Sequence, residues 1–130
     1  MSGITRKNKK FDLIVWGSTG FTGKLVCEYI QKKYKNTDLK WAIAGRNEIK
    51  IKTLISLLNL KDIPYFIANS NNKDSLLEMT KMTKTICSTV GPYAKYGTLL
   101  VEACIENKTN YCDITGETQW IRGIIDKYHA

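Results

Sequence analysis

The sequence predicts a three-layer α/β fold, a doubly wound parallel β-sheet covered by helices on both faces. Short apolar runs rich in β-prone residues recur along the chain, and segments of helical periodicity separate them. A glycine-rich turn joins the first such run to the first helical segment. The length of 130 residues suits one domain. With 43% apolar and 25% charged residues, the composition is that of a globular protein.

The first half of the chain is predicted to form strand, helix, strand and helix. Residues 11–16 are an apolar, β-prone run apart from Asp12, which is typical of a buried strand. A helix over 22–33 follows from the spacing of its expected core residues, Leu25, Val26, Tyr29 and Ile30. After a second strand over 39–44, Asn47 caps a helix over 47–58. The expected core residues of that helix are Ile51, Leu54, Leu57 and Leu58.

The second half continues the alternation, with runs of β-prone residues for strands and apolar repeats every three or four positions for helices. The predicted strands are residues 65–68, 85–88 and 111–114. The predicted helices are residues 74–82, 96–107 and 119–128. Their expected core residues are Leu76, Leu77, Met79, Leu99, Leu100, Ala103, Cys104, Ile121, Ile124, Ile125 and Tyr128. Because a helix separates successive strands, right-handed crossovers return each strand parallel, and the predicted strand order is 3-2-1-4-5.

The charge distribution separates a basic start from the rest of the chain. The net charge is +8, with 20 Lys and Arg against 12 Asp and Glu. We interpret residues 1–10 as a basic flexible tail ahead of one domain over 11–130. Only three basic residues are Arg, fewer than nucleic-acid surfaces usually use, so no nucleic-acid partner is predicted. The positive charge suits either a solvated lysine-rich surface or a phosphorylated cofactor.

Cysteine and histidine usage excludes several kinds of site. The four cysteines are Cys27, Cys87, Cys104 and Cys112. None of their spacings is typical of zinc ligands, and we expect buried, reduced thiols in an intracellular protein. The one histidine is His129, so neither a metal site nor a histidine-based triad is predicted. No signal peptide or membrane span is apparent, and the expected location is intracellular, cytoplasmic by default.

The strongest functional signal is a G-x-x-G-x-x-G turn between the first strand and the first helix. In Rossmann-type folds the first glycine makes the turn, the second admits a pyrophosphate and the third lets the helix pack closely. Free N–H groups at the helix start attract the phosphates. The predicted cofactor-binding residues here are Gly17, Ser18, Thr19, Gly20, Phe21, Thr22 and Gly23. A glycine turn needed only for packing is the alternative. A P-loop is excluded, because Ser18 and Leu25 break its pattern.

The end of the second strand distinguishes NAD from NADP. NAD-binding domains place an acidic residue there to bind the ribose 2′-hydroxyl. This chain has Arg46 instead, and Glu48 already belongs to the following helix. A guanidinium can pair with a 2′-phosphate, so the sequence favours NADP(H) over NAD(H). The alternative for Arg46 is a surface residue near a helix start.

Loops after the third, fourth and fifth strands complete the predicted site. Asn69 is expected either to contact the adenine edge or to serve as a turn residue. Val90, Gly91 and Pro92 follow the fourth strand, where the strand order reverses and open α/β sheets bind ligands. Residues 113–117 keep three interpretations: they face substrate, dock another domain, or cap a helix.

Four segments together resemble the N-terminal part of the saccharopine dehydrogenase-like oxidoreductases. They are FDLIVWGSTGFTG at 11–23, WAIAGR at 41–46, TVGPYAKYG at 89–97 and YCDITGETQW at 111–120. The resemblance implies a pyridine-nucleotide-dependent enzyme that transfers hydride to or from a small-molecule substrate. It implies no particular substrate, and no catalytic residue is predicted. Relatives include enoyl reductases that act on lipids, and some members associate with membranes or lipid droplets.

The resemblance also bears on the extent of the chain. Family members are much longer and carry a second domain, so we expect an N-terminal cofactor domain that is inactive alone. Apolar surface intended for the second domain, with Trp120 and Ile124 as candidates, would favour self-association. The alternative function is a non-catalytic domain that senses NADP(H) or acts as a scaffold.

Overall fold

Five parallel strands form the centre of the fold. The computed structural model describes residues 9–128. Its strands are β1 (Phe11–Trp16), β2 (Trp41–Gly45), β3 (Tyr65–Ile67), β4 (Thr83–Ser88) and β5 (Asn110–Asp113). They pair in parallel in the order β3-β2-β1-β4-β5. The predicted fold class and strand order are therefore confirmed.

Six helices lie in the described part of the chain. They are α1 (Phe21–Tyr34), α2 (Glu48–Leu58), α3 (Lys73–Thr80), α4 (Tyr93–Tyr96), α5 (Thr98–Glu106) and α6 (Thr118–Tyr128). The helix predicted over 96–107 is present as α5, within two residues at each end, but the short helix α4 before it was not predicted, and a break at Gly97 separates the two. A Cβ atom at Gly97 would lie 2.8 Å from both Trp120 Cζ2 and the Tyr93 carbonyl oxygen. Gly97 therefore allows α6 to pack closely against this break.

The sheet separates two hydrophobic cores. One core lies under α3 and α5 and includes Ile14, Leu76 and Leu100. The other lies under α1 and α2 and includes Val15 and Ile51. Successive residues of β1 thus enter opposite cores, which explains why its sequence is apolar without interruption from Leu13 to Trp16.

Three predicted helix faces are corrected by the structure. In α1, Leu25 and Tyr29 are 52% and 57% exposed, and the buried residues are Gly23, Cys27 and Ile30. The close approach of Gly23 to the loop after β1 turns the opposite face of α1 to solvent. Leu57 of α2 is likewise exposed. The predicted core of α6 is corrected as well, because none of its residues is fully buried and Ile125 is exposed.

Lys9 belongs to the folded domain rather than to the predicted tail. Its side chain is buried, and Nζ donates hydrogen bonds to Thr109 Oγ1 (2.7 Å) and the Thr80 carbonyl (3.2 Å). Lys9 therefore ties the start of β1 to the end of α3 and the start of β5. Lys10 is exposed, whereas residues 1–8 of the predicted tail and His129 lie outside the described residues.

The cysteines are less uniformly buried than predicted. All four are free, and Cys27 and Cys104 are buried, but Cys87 is half-buried and Cys112 is exposed on the edge strand β5. Burial raises the pKa of Cys27 to about 11 and that of Cys104 to about 12. Among residues 9–128 no cluster of His, Cys, Asp or Glu is arranged to hold a metal ion. In the same residues no helix is long and apolar enough to cross a membrane.

Candidate cofactor-binding site

A cleft of about 440 Å³ opens at the carboxyl ends of the central strands. Parallel strands place the loops that follow them at one edge of the sheet, and the reversal of strand order between β1 and β4 opens a crevice there. Loops after β1, β2, β3 and β4 all line the cleft. The lining residues are Trp16, Gly17, Thr19, Gly20, Gly45, Arg46, Asn69, Ser70, Asn71, Thr89, Val90, Gly91, Pro92 and Tyr96.

Gly17 makes the sharp turn out of β1. Its φ of +87° lies in the left-handed region that glycine adopts without strain. A Cβ atom at Gly17 would lie 2.6 Å from Val90 Cγ2 and 2.7 Å from Thr89 Oγ1. The first glycine is therefore needed both for the backbone turn and for the close approach of the loop after β4.

Gly20 and Gly23 serve different purposes in the same turn. A Cβ atom at Gly23 would lie 2.0 Å from the Gly17 carbonyl oxygen, so this glycine is required for packing. At Gly20 a Cβ atom would meet only the Gly17 carbonyl oxygen, at an ordinary 3.6 Å. The backbone of Gly20 is also extended, which any residue adopts. Because Gly20 lines the cleft, its missing side chain leaves space for a ligand instead of serving the fold.

The start of α1 is open toward an anion. Gly20 occupies the N-cap position without a side-chain hydrogen bond, and the first turn of α1 contains no acidic residue. The first N–H groups of a helix have no acceptor within the helix, and the helix dipole adds partial positive charge there. These groups can therefore bind the phosphates of a ligand in the cleft.

Ser18, Phe21, Thr22 and Gly23, although predicted as site residues, do not line the cleft. Ser18 is buried, and its hydroxyl donates to the Val15 carbonyl (2.7 Å) and accepts from the Ala44 N–H (3.1 Å). It therefore fastens the turn to β1 and β2. The Phe21 side chain is 82% exposed, outside the cleft.

At the end of β2 the cleft carries a cation and no available carboxylate. Arg46 is exposed and forms no ion pair within residues 9–128. The nearby Glu48 accepts a hydrogen bond from the Tyr65 hydroxyl (2.7 Å) and lies 3.9 Å from Lys52 Nζ. The hydrogen bond to Glu48 raises the pKa of Tyr65. Glu48 is thus engaged with Tyr65 of β3 and Lys52 of α2, which leaves Arg46 as the charged side chain that lines the cleft.

Asn69 has its predicted turn role, and its contact with an adenine stays a prediction. Its Oδ1 accepts from the Asn71 N–H (2.8 Å) and closes a turn, while its backbone N–H donates to Ser75 Oγ (3.0 Å). Asn69 also lines the cleft, where its amide nitrogen remains a donor for an adenine edge.

The loop after β4 forms the other side of the cleft. Gly91 and Pro92, joined by a cis peptide bond, lead into α4, whose first residue, Tyr93, is buried. The Tyr93 hydroxyl donates to the Ser88 carbonyl (3.2 Å). Burial raises the pKa of Tyr93, so its hydroxyl stays protonated at neutral pH. Tyr96 at the end of α4 returns to the cleft.

Residues 113–117 cap structure instead of lining the cleft. Asp113 accepts from the Tyr111 hydroxyl (2.5 Å) and from the Thr115 N–H (3.0 Å). Burial and the bond to Asp113 raise the pKa of Tyr111. Glu117 accepts from the N–H groups of Tyr93 and Ala94, at the start of α4.

Several residues that line the cleft were not predicted as site residues: Trp16, Gly45, Ser70, Asn71, Thr89 and Tyr96. All but Tyr96 lie at or just after the end of a strand. The rule that ligands bind at the carboxyl ends of parallel strands, applied to every predicted strand, would have found them. Tyr96 depends on α4, which the sequence pattern did not reveal.

Dinucleotide-binding α/β domains bind their ligand in a crevice where the strand order reverses, beside a glycine turn and the start of a helix. The cleft of this chain has all three features. Residues 13–129 match a family model described as the saccharopine dehydrogenase NADP binding domain. The chain belongs to this family, and the expected preference for NADP is confirmed.

Similar proteins cover the chain but extend well beyond it. A trans-acting enoyl reductase of Mycobacterium leprae is 35% identical over 123 residues, which are 93% of this chain and 29% of the relative. A lipid droplet localized protein of Caenorhabditis elegans is 34% identical over 125 residues, 92% of this chain and 29% of the relative. The chain thus spans less than a third of these curated relatives.

A solved structure shares the fold. Apo saccharopine dehydrogenase (L-Glu forming) from Saccharomyces cerevisiae superposes with a TM-score of 0.71 at 15% identity, covering 88% of this chain and 24% of that one.

Proposed function

We propose that this chain holds NADP(H) for an oxidoreductase that transfers hydride between the cofactor and a small-molecule substrate. The observation that carries the proposal is the contrast at Gly20. This residue lines the cleft beside the uncapped start of α1, and its lack of a side chain is not needed for packing. A pyrophosphate that approaches the backbone closely accounts for that arrangement.

Each loop of the cleft has a role in this proposal. The N–H groups at the start of α1 bind the pyrophosphate, and Arg46 pairs with the 2′-phosphate. Asn69 donates to the adenine, while Gly91, Pro92 and Tyr96 border the nicotinamide half. When bound, NADPH supplies a hydride. The residues of the chain orient that group and exclude water from one side of it.

The names of relatives support the oxidoreductase class. The Mycobacterium leprae relative is named for enoyl reduction and the yeast neighbour for dehydrogenation. Substrate identity belongs to the longer proteins, of which this chain matches less than a third. The intracellular location and the self-association expected from the sequence stay predictions. Trp120, one candidate for the self-associating surface, is half-buried against Tyr93.

Replacing Gly20 by Asp tests the proposal. The carboxylate would occupy the space left for the pyrophosphate and repel it, so binding should be lost while the domain stays folded. NADPH fluorescence titration measures the affinity, and thermal unfolding measures the fold. Gly123→Asp is the matched control, because Gly123 lies on the exposed part of α6 with no atom within 4 Å of an added Cβ. A folded Gly20→Asp variant with wild-type affinity would refute the pyrophosphate site.

A further inference from the structure

Glu117 connects the segment after β5 to the loop that borders the cleft. Its Oε2 accepts from the Tyr93 N–H at 2.5 Å, and its Oε1 accepts from the Ala94 N–H at 2.9 Å. These are charge-assisted hydrogen bonds to backbone donors, which are stronger than neutral ones. Tyr93 directly follows Pro92, so the carboxylate fixes the backbone immediately beside the cleft wall.

Trp120, in the first turn of α6, packs against the same loop. Its ring lies 5.7 Å from the ring of Tyr93, and its Nε1 donates to Thr98 Oγ1 at 3.1 Å. The missing side chain of Gly97 lets the indole reach this position. Trp120 therefore packs against both ends of the α4 segment, while Glu117 holds its first N–H groups.

The α4 helix depends on these contacts for its position. It has only four residues, and a helix of this length is not stable without tertiary contacts. Pro92 at its N-cap position supplies no side-chain hydrogen bond, so the carboxylate of Glu117 takes that role from a distant part of the chain. Gly91 and Pro92 before α4 and Tyr96 at its end all line the cleft.

We propose that Glu117 is a positioning residue for the nicotinamide half of the cofactor, with Trp120 as its support. This assignment rests on the proposed function. A dinucleotide lies across the point where the strand order reverses, with one half on the β1–β3 side and the other on the β4 side. Arg46 and Asn69 belong to the adenosine side, and the contacts of Glu117 lie on the β4 side. Loss of Glu117 should therefore weaken binding of one half only.

The experiment compares two probes on the same variants. NADPH spans both halves of the cleft, whereas adenosine 2′,5′-bisphosphate occupies the adenosine half alone. Calorimetric titration should show that Glu117→Ala weakens the binding of NADPH about tenfold, which is equivalent to about 1.4 kcal/mol of binding free energy. The affinity for the bisphosphate should fall less than about twofold, which is the range expected for sites that do not interact. Glu117→Gln keeps one acceptor oxygen and should fall between wild type and Glu117→Ala. The matched control is Glu28→Ala, at an exposed glutamate of α1.

Each outcome decides between a positioning role, a structural role and no role. Equal losses for both probes would show that Glu117 only stabilises the fold, and unchanged NADPH affinity would show that it does not position the cofactor. If Glu117→Ala does not fold, the isosteric Glu117→Gln variant gives the same comparison. A wild-type protein that binds neither probe would refute the proposed function and this assignment with it. If the wild-type protein binds both probes, the proposed function stands, and the Glu117 variants then test the positioning role by itself.

Discussion

Replacing Gly23 by Ala should destabilise the domain, although alanine is the better helix former. The new Cβ would lie 2.0 Å from the Gly17 carbonyl oxygen and 2.8 Å from both the Gly17 carbonyl carbon and Ser18 Cα. All three atoms belong to the backbone of the turn, which is fixed by hydrogen bonds from the Gly17 and Ser18 N–H groups to the Ala44 carbonyl (3.0 and 3.1 Å). Relief of the overlap therefore requires α1 to move away from the sheet.

The expected magnitude follows from two opposing contributions. Overpacking of a rigid site costs about 3 kcal/mol at the upper end of the usual range. The gain in helix propensity from Gly to Ala offsets about 1 kcal/mol of it. A net loss of about 2 kcal/mol should lower the midpoint of thermal unfolding by roughly 8 °C for a domain of this size.

Thermal unfolding followed by circular dichroism measures the effect. Gly123→Ala provides a control of opposite sign, because Gly123 lies inside α6 with no atom within 4 Å of an added Cβ. It should raise the free energy of unfolding by about 0.5–1 kcal/mol. A Gly23→Ala variant that unfolds at or above the wild-type temperature would refute the close packing of α1 on the turn.

Three further predictions concern the cofactor, the thiols and acid stability. Arg46→Ala should weaken NADPH binding about 10- to 150-fold, because it removes a charge-assisted hydrogen bond worth roughly 1.5–3 kcal/mol. The affinity for NADH in the same fluorescence titration should be nearly unchanged. Equal losses would make Arg46 structural. Iodoacetamide at neutral pH should modify the exposed Cys112 well before Cys27, because burial raises the pKa of Cys27 to about 11; mass spectrometry checks the order, and early Cys27 labelling contradicts it. A hydrogen bond from Tyr128, together with nearby lysines, lowers the pKa of Glu102 in the folded domain. The contribution of Glu102 to the free energy of unfolding is therefore complete above the unfolded pKa of about 4.3, and it is lost as the pH falls through the lower folded pKa. Tryptophan fluorescence should report release of α6 in that acid range, and Glu102→Gln should remove this pH dependence; an unchanged transition in Glu102→Gln would contradict it.

The sequence predicted the elements wherever one local signal was sufficient. The apolar run of β1 was bounded correctly, because both faces of that strand are buried. The Asn47 cap of α2 was also correct, since its Oδ1 accepts from the Lys50 N–H three residues later. The prediction of the buried face of α1 was wrong in part, because the sequence of this helix has apolar residues on two faces. Ile30 is buried as predicted, but only the contact of Gly23 with the turn after β1 selects Cys27 over Leu25 and Tyr29.

The candidate site was predictable where its residues adjoin a motif. Gly17, Thr19 and Gly20 of the glycine turn, together with Arg46, follow predicted strands and line the cleft. The separate roles of Gly20 and Gly23 became visible only from distances to other parts of the backbone. Helix capping was one of the interpretations of residues 113–117, but the helix that Glu117 caps could not be predicted, because it lies more than 20 residues earlier in the chain. Contacts of this kind depend on tertiary structure and leave no local pattern.

The pairing of β1 with β4 delays completion of the sheet during synthesis. Thr89, just after β4, bonds the carbonyl of Trp16 at the end of β1, and the two residues are 73 positions apart. At about 5–20 residues per second, a ribosome needs roughly 4–15 s to make the intervening chain. During that time the central strand of the finished protein has one edge without its partner. An apolar strand with an unpaired edge is prone to aggregation, so the nascent chain is most exposed to misassembly in the interval before β4 pairs with β1.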